Sequence, residues 1–182
     1  MTIATLLNDF YRRNNLSAKG GESDDWFYLK FKFFNLKLPN SQFRKDVIYI
    51  HDVQHVLYDC DTTLKGEAFI AGWEVATGVW KHFPIGIMSL WAMGFSLLNY
   101  PKEVFKGYNE GLNTIGIIDL KIEKKDLLNL SVLELKKLIH KKEAKRKDKL
   151  KYIILAFWCL ASLTTFLVPI LLPLVIIFQF LI

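Results

Sequence analysis

Residues 51–67 read HDVQHVLYDCDTTLKGE, and two of the chain's four histidines stand in them, four positions apart. Each residue of a helix advances by 100°, so His51 and His55 lie about 40° apart and Asp52 about 100° from His51. The stretch therefore predicts a helix that aims two imidazoles and a carboxylate into one sector. A histidine pair at i, i+4 can reach a single cation, as in HExxH zinc helices. A stop at Asp61, Thr62 and Thr63, followed by a second helix, lets Glu67 fold back towards the first three. Two imidazoles with two carboxylates form a mixed nitrogen–oxygen donor set, suited to Zn²⁺ and also to Mn²⁺ or Fe²⁺. The competing reading is an ordinary polar helix face, which any HxxxH pair also fits.

Outward from this stretch the chain reads as mainly α-helical. Ser41 is the expected N-cap of the helix QFRKDVIYIHDVQHVLY. Upstream, Thr2 to Arg13 forms a short helix with Ile3, Leu6, Leu7 and Phe10 on one face. SAKGGESDD is a loop by its Gly, Ser and Asp content, and WFYLKFKFFNLKLP alternates partly and could be a strand, but extended or irregular structure is preferred. Downstream, LKGEAFIAGWEVATGVWKH is a helix whose Ala68, Ala71, Gly72, Ala76 and Gly78 allow close approach. A helical Gly costs about 1 kcal/mol relative to Ala, so a packing reason is expected. Phe83 to Leu98 is apolar but short for a membrane span, and reads as a buried or membrane-touching helix. In LSVLELKKLI, Ser131 and Glu134 form a capping box, with Leu130 and Leu135 as its staple. That helix could run on into the basic stretch after it.

The C-terminal quarter carries a different message. Residues 152–182 contain no charged side chain. Thirty-one helical residues would reach about 46 Å, well beyond the ~30 Å hydrocarbon core. Pro169 and Pro173 fall inside this run. Two arrangements fit, a hairpin turning near VPILLP or one kinked span, and the hairpin is preferred; a buried core helix is the third reading. The net charge of +6 is also local. Residues 1–135 hold 15 Lys/Arg against 16 Asp/Glu, whereas residues 136–151 hold nine against two. Such a collar beside an apolar tail suits anionic lipid and marks the cytoplasmic side, and it argues against a nucleic-acid partner. The organisation is thus a helical domain over 1–135, a juxtamembrane collar over 136–151 and a membrane segment over 152–182. The N-terminus lacks a secretory signal's apolar core, and Cys60 and Cys159 suggest no disulfide framework. The domain is expected on the cytoplasmic face, in a bacterium that of the inner membrane.

Two familiar site types fit poorly. HExxH proteases use Glu as base, and Asp52 is a methylene shorter. HD-type phosphohydrolases need an upstream histidine, and none precedes His51. The spacing HDxxH, eleven residues, then Glu instead resembles the signature of the coenzyme Q biosynthesis family usually called Coq-four. His51, Asp52, His55 and Glu67 fall on that family's metal ligands. Leu57, Thr62 and Gly66 match residues common between them, and NLKLPNSQFRK and LSVLELKKLI are similar to its flanks, so the likeness covers roughly residues 36–140. Asp59 departs from it, standing where the family has glycine, and Asp59 or Asp61 could add an oxygen ligand. The apolar tail is not a core feature of the family.

The resemblance implies a helical, membrane-associated, zinc-binding protein of ubiquinone assembly. Its reaction would replace the C1 carboxyl of a polyprenylated ring by hydroxyl, an oxidative decarboxylation. Its partners would be membrane lipid, the prenylated ring and other quinone-biosynthesis enzymes. Glu67 and Glu74 are the candidate catalytic carboxylates, Glu74 lying seven residues on along nearly the same face. His82 reads as a helix-end histidine, Trp73 and Trp80 as core, Tyr58 as packing or a proton donor, and Cys60 as a remote ligand candidate. Two alternatives stand beside this reading. One is a non-catalytic lipid-binding scaffold with the same site in a structural role; the other is a metal-dependent hydrolase of a lipid-like substrate.

Overall fold

A computed structural model describes residues 1–30, 35–141 and 148–181. Among these residues are eight α-helices and one two-stranded sheet, so the predicted helical class holds. The chain forms two compact units, residues 1–59 with 121–138 and residues 60–120 with 139–182.

In the first unit, α1 (Ile3–Arg13) starts at Thr2, whose hydroxyl accepts the Thr5 N–H. Its apolar face buries Ile3, Leu7, Phe10 and Tyr11. A 3₁₀ turn over Ala18–Gly21 follows, with Lys19 and Gly20 at positive φ. The aromatic stretch after it is more regular than its sequence suggests. Strands β1 (Trp26–Lys30) and β2 (Asn35–Pro39) pair antiparallel, from Trp26 opposite Pro39 to Lys30 opposite Asn35. Helix α2 (Gln42–Tyr58) begins where expected, with the Ser41 hydroxyl accepting the Arg44 N–H at 3.3 Å.

Helices α6 (Lys124–Asn129) and α7 (Val132–Ile139) return to α1. The Ile3 N–H donates to the Leu130 carbonyl at 2.7 Å. The capping box forms in full. Glu134 accepts from the Ser131 N–H at 2.8 Å, and the Ser131 hydroxyl accepts the Glu134 N–H at 3.2 Å. Helix α7 runs four residues into the collar and stops at Ile139; residues 142–147 of the collar lie outside the described residues.

In the second unit, α3 (Leu64–Thr77) is capped by Thr63 and closed by Gly78 at φ 95°. It is therefore shorter than the run to His82 that the sequence suggests. Left-handed backbone at Gly78 ends the helix cheaply, and a 3₁₀ turn over Val79–Lys81 takes the chain on to α4 (Ile85–Asn99) and α5 (Pro101–Gly111). The small residues of α3 have the packing role expected of them. A Cβ on Gly72 would run into the Val104 carbonyl oxygen, so α3 and α5 meet backbone to backbone. Ala68, Ala71, Val75, Met93, Val104 and Tyr108 form the core around that contact.

The tail corrects the preference for a hairpin. Helix α8 runs unbroken from Asp148 to Leu181 with Pro169 and Pro173 inside it. Each proline removes one amide donor, and apolar membrane helices accommodate that loss within a continuous helix. Among the described residues one helix, Lys149–Gln179, is long and apolar enough to cross a membrane, with mean hydropathy 2.4 and only 12% of its most apolar stretch buried. A core helix would be mostly buried, so that reading of the tail is not supported.

Candidate metal centre

Helix α2 delivers its two histidines side by side. The Nε2 atoms of His51 and His55 are 3.2 Å apart, on the shared helix face that the 40° offset gives them. Glu67 stands in the first turn of α3. His51, His55 and Glu67 each offer one ligand atom, and these atoms lie within 4.8 Å of one another. The histidines differ in setting. His55 is 1% exposed, with its ring stacked on Phe10 of α1 at 5.5 Å, while His51 is half-buried. A buried imidazole held by an aromatic neighbour has little rotational freedom, which favours a fixed ligand direction.

The turn joining α2 to α3 is built by local polar chemistry. Asp59 closes α2 in left-handed backbone, φ 51° and ψ 43°. That is a position where glycine has no Cβ penalty and aspartate is tolerated. The aspartate is thus accommodated in the left-handed C-cap of α2. Asp61 Oδ1 accepts from the Thr63 N–H at 3.1 Å and from its hydroxyl at 2.6 Å, which prepares Thr63 as the cap of α3. Gly66 has a steric reason, since a Cβ there would strike the Asp61 carbonyl. These contacts cap α3, in whose first turn Glu67 stands.

Asp52 occupies a different arrangement from the three clustered ligand atoms. It is buried, and its Oδ2 accepts the Tyr11 hydroxyl at 3.0 Å. Burial first, and Asp52 second, hold the Tyr11 phenol far above its usual pKa, so the phenol stays a donor. Burial lowers the pKa of Arg44, with Asp52 and Asp24 acting in the opposite sense. Nothing in the sequence near Asp52 announces Tyr11, which is 41 residues away; the burying face of α1 was the available signal.

The remaining candidates are spread out. Glu74 is buried on α3 and accepts the Ser89 hydroxyl of α4 at 2.6 Å. His82 ends a 3₁₀ turn and meets Asp119 through Nε2 at 2.9 Å. Trp73 is fully buried, but Trp80 is exposed and lies against Trp158 of α8 at 4.8 Å. Lys136 lies over the Tyr58 ring at 5.8 Å. Cys60 and Cys159 form no disulfide.

The donor set and spacing fit a divalent cation. Two nitrogens about 2.05 Å from a tetrahedral zinc are about 3.3 Å apart, close to the observed 3.2 Å. One carboxylate and two imidazoles also leave a position open to a substrate or water, as in catalytic sites. No protein-family model matches the chain, and no curated protein and no solved structure matches it.

Proposed function

We propose that the protein is a membrane-anchored metalloprotein of quinone biosynthesis, acting at C1 of a polyprenylated ring. The observation that carries this is the convergence of His51, His55 and Glu67 within 4.8 Å on an HDxxH-x(11)-E motif. In this reading these three residues hold the cation, zinc first and iron or manganese as alternatives. Asp52, next to His51 in the chain, holds the Tyr11 hydroxyl. The cation supplies Lewis acidity towards a ring carboxylate or hydroxyl. Glu67 would be the carboxylate ligand of that ion, and Glu74 with Ser89 forms a polar pair inside the helical core. The apolar helix α8 anchors the protein at the membrane that dissolves the prenyl tail, with the folded domain on the cytoplasmic face.

The reaction class is oxidative decarboxylation, in which the ring carboxyl leaves as carbon dioxide and a hydroxyl takes its place. Dioxygen and two reducing equivalents balance it, yielding water. Purified protein given a 1-carboxylated prenyl phenol, dioxygen and a reductant is expected to release carbon dioxide, and Glu67→Ala is expected to stop it with the helical content unchanged. No release from metal-loaded wild type contradicts the enzyme reading.

A second reading is favoured by the seat of His55, which is buried and stacked on Phe10. There the ion is structural, and the protein presents prenylated intermediates to partner enzymes. Glu67→Ala would then lower stability and partner recovery together. Hydrolysis of a lipid-like ester, dependent on added metal, is the third outcome that the same protein preparation can report.

A further inference from the structure

Helix α8 contains about 51 Å of helix at 1.5 Å per residue. Its first half is not bare. Trp158 packs on Trp80, Phe166 meets Trp91 and Phe95 of α4 at 5.2 and 5.7 Å, and Ser162 is fully buried. A Cβ on Gly94 would strike the Ser162 carbonyl, so α4 and α8 cross at backbone contact. Small residues at a crossing are the usual means of packing helices in lipid, where no hydrophobic drive holds them together.

Beyond Phe166 the helix loses this cover. The apolar side chains of Val168, Ile170, Leu171, Leu172, Ile176, Ile177 and Phe178 are 44–62% exposed. Residues 168–181 measure only about 21 Å, short of the ~30 Å hydrocarbon core. A crossing α8 therefore needs part of the segment that α4 covers. That segment is itself apolar on its outer side, with Tyr152, Ile153, Phe157 and Leu160 exposed. Lys149 and Lys151 are the last charges before it.

Helix α4 has matching chemistry. It carries no charged residue along its 15 positions and leaves Ile87 and Met88 about half exposed, with Phe83 before it at 80%. At about 22 Å it cannot span alone. We infer that α4 enters the bilayer together with the first half of α8, as a two-helix wedge in the leaflet next to the basic collar, with only α8 continuing across. The occupant of the α4 face is thus lipid acyl chain. This extends the membrane anchor of the functional reading and does not depend on the metal.

The test places a benzophenone amino acid at position 88, 178 or 109 of the full chain, in vesicles of phosphatidylcholine and phosphatidylglycerol. Position 109 is an exposed asparagine on α5. Irradiation is expected to give lipid adducts at 88 and 178 and none at 109, read by mass spectrometry. Lipid adducts at 178 alone overturn the inference, as do adducts at 88 to a second protein chain. Absence of lipid adducts at 178 overturns it as well, because α8 would then not be inserted. Metal content measured on the same samples keeps a failure of the metal reading separate.

Discussion

The Nε2 atoms of His51 and His55 stand 3.2 Å apart on one face of α2. A single helix thus sets two donors at nearly the spacing that one tetrahedral ion needs. Binding that favours the folded chain must stabilise it by mass action. Free zinc at a hundredfold excess over its dissociation constant is expected to add about 2.7 kcal/mol to unfolding stability. Denaturant titrations of stripped and reloaded protein measure this, and identical midpoints would speak against a folded-state site.

Asp59 holds left-handed backbone at the end of α2. Replacing it with glycine removes the Cβ clash of that conformation. Asp59→Gly is expected to stabilise the protein by roughly 0.5–1 kcal/mol with metal content unchanged. Loss of metal in that variant would instead make Asp59 a ligand.

Tyr11 gives its hydroxyl to a buried carboxylate. Tyr11→Phe leaves Asp52 Oδ2 without that donor and is expected to cost about 1–3 kcal/mol in unfolding stability. A cost below about 0.5 kcal/mol would mean that the hydrogen bond is replaced as fast as it is removed.

Glu134 caps α7, and hydrogen bonds from the Ser131 N–H and hydroxyl hold its carboxyl below the usual glutamate range. A depressed carboxyl pKa stabilises the fold above the unfolded-state value, and that contribution is lost as pH falls through the folded-state value. Stability of the wild type should therefore fall more steeply below about pH 4.5 than that of Glu134→Gln. Parallel pH profiles of the two proteins would remove the cap's electrostatic role.

The parts legible in the sequence are those set by neighbours along the chain. The Ser41 cap, the Ser131–Glu134 box and the His51–His55 pair each depend on residues three or four apart, and all three form. The Gly72 contact was legible as a need for closeness, though its partner Val104 was not. What escaped rests on distance or on the solvent. Tyr11 reaches Asp52 across 41 residues, and Ser89 reaches Glu74 across 15. Pro169 and Pro173 read as breakers because water is the usual reference for a helix. Helix α8 nonetheless runs continuously through both prolines, as a long apolar helix can where an open turn would leave amides without a partner.

Metal analysis of the purified protein against His55→Ala tests the central claim most directly. The account predicts close to one divalent ion per wild-type chain, and an affinity reduced at least roughly tenfold when this buried imidazole is lost. Equal metal content in the two proteins, both folded by circular dichroism, would contradict it.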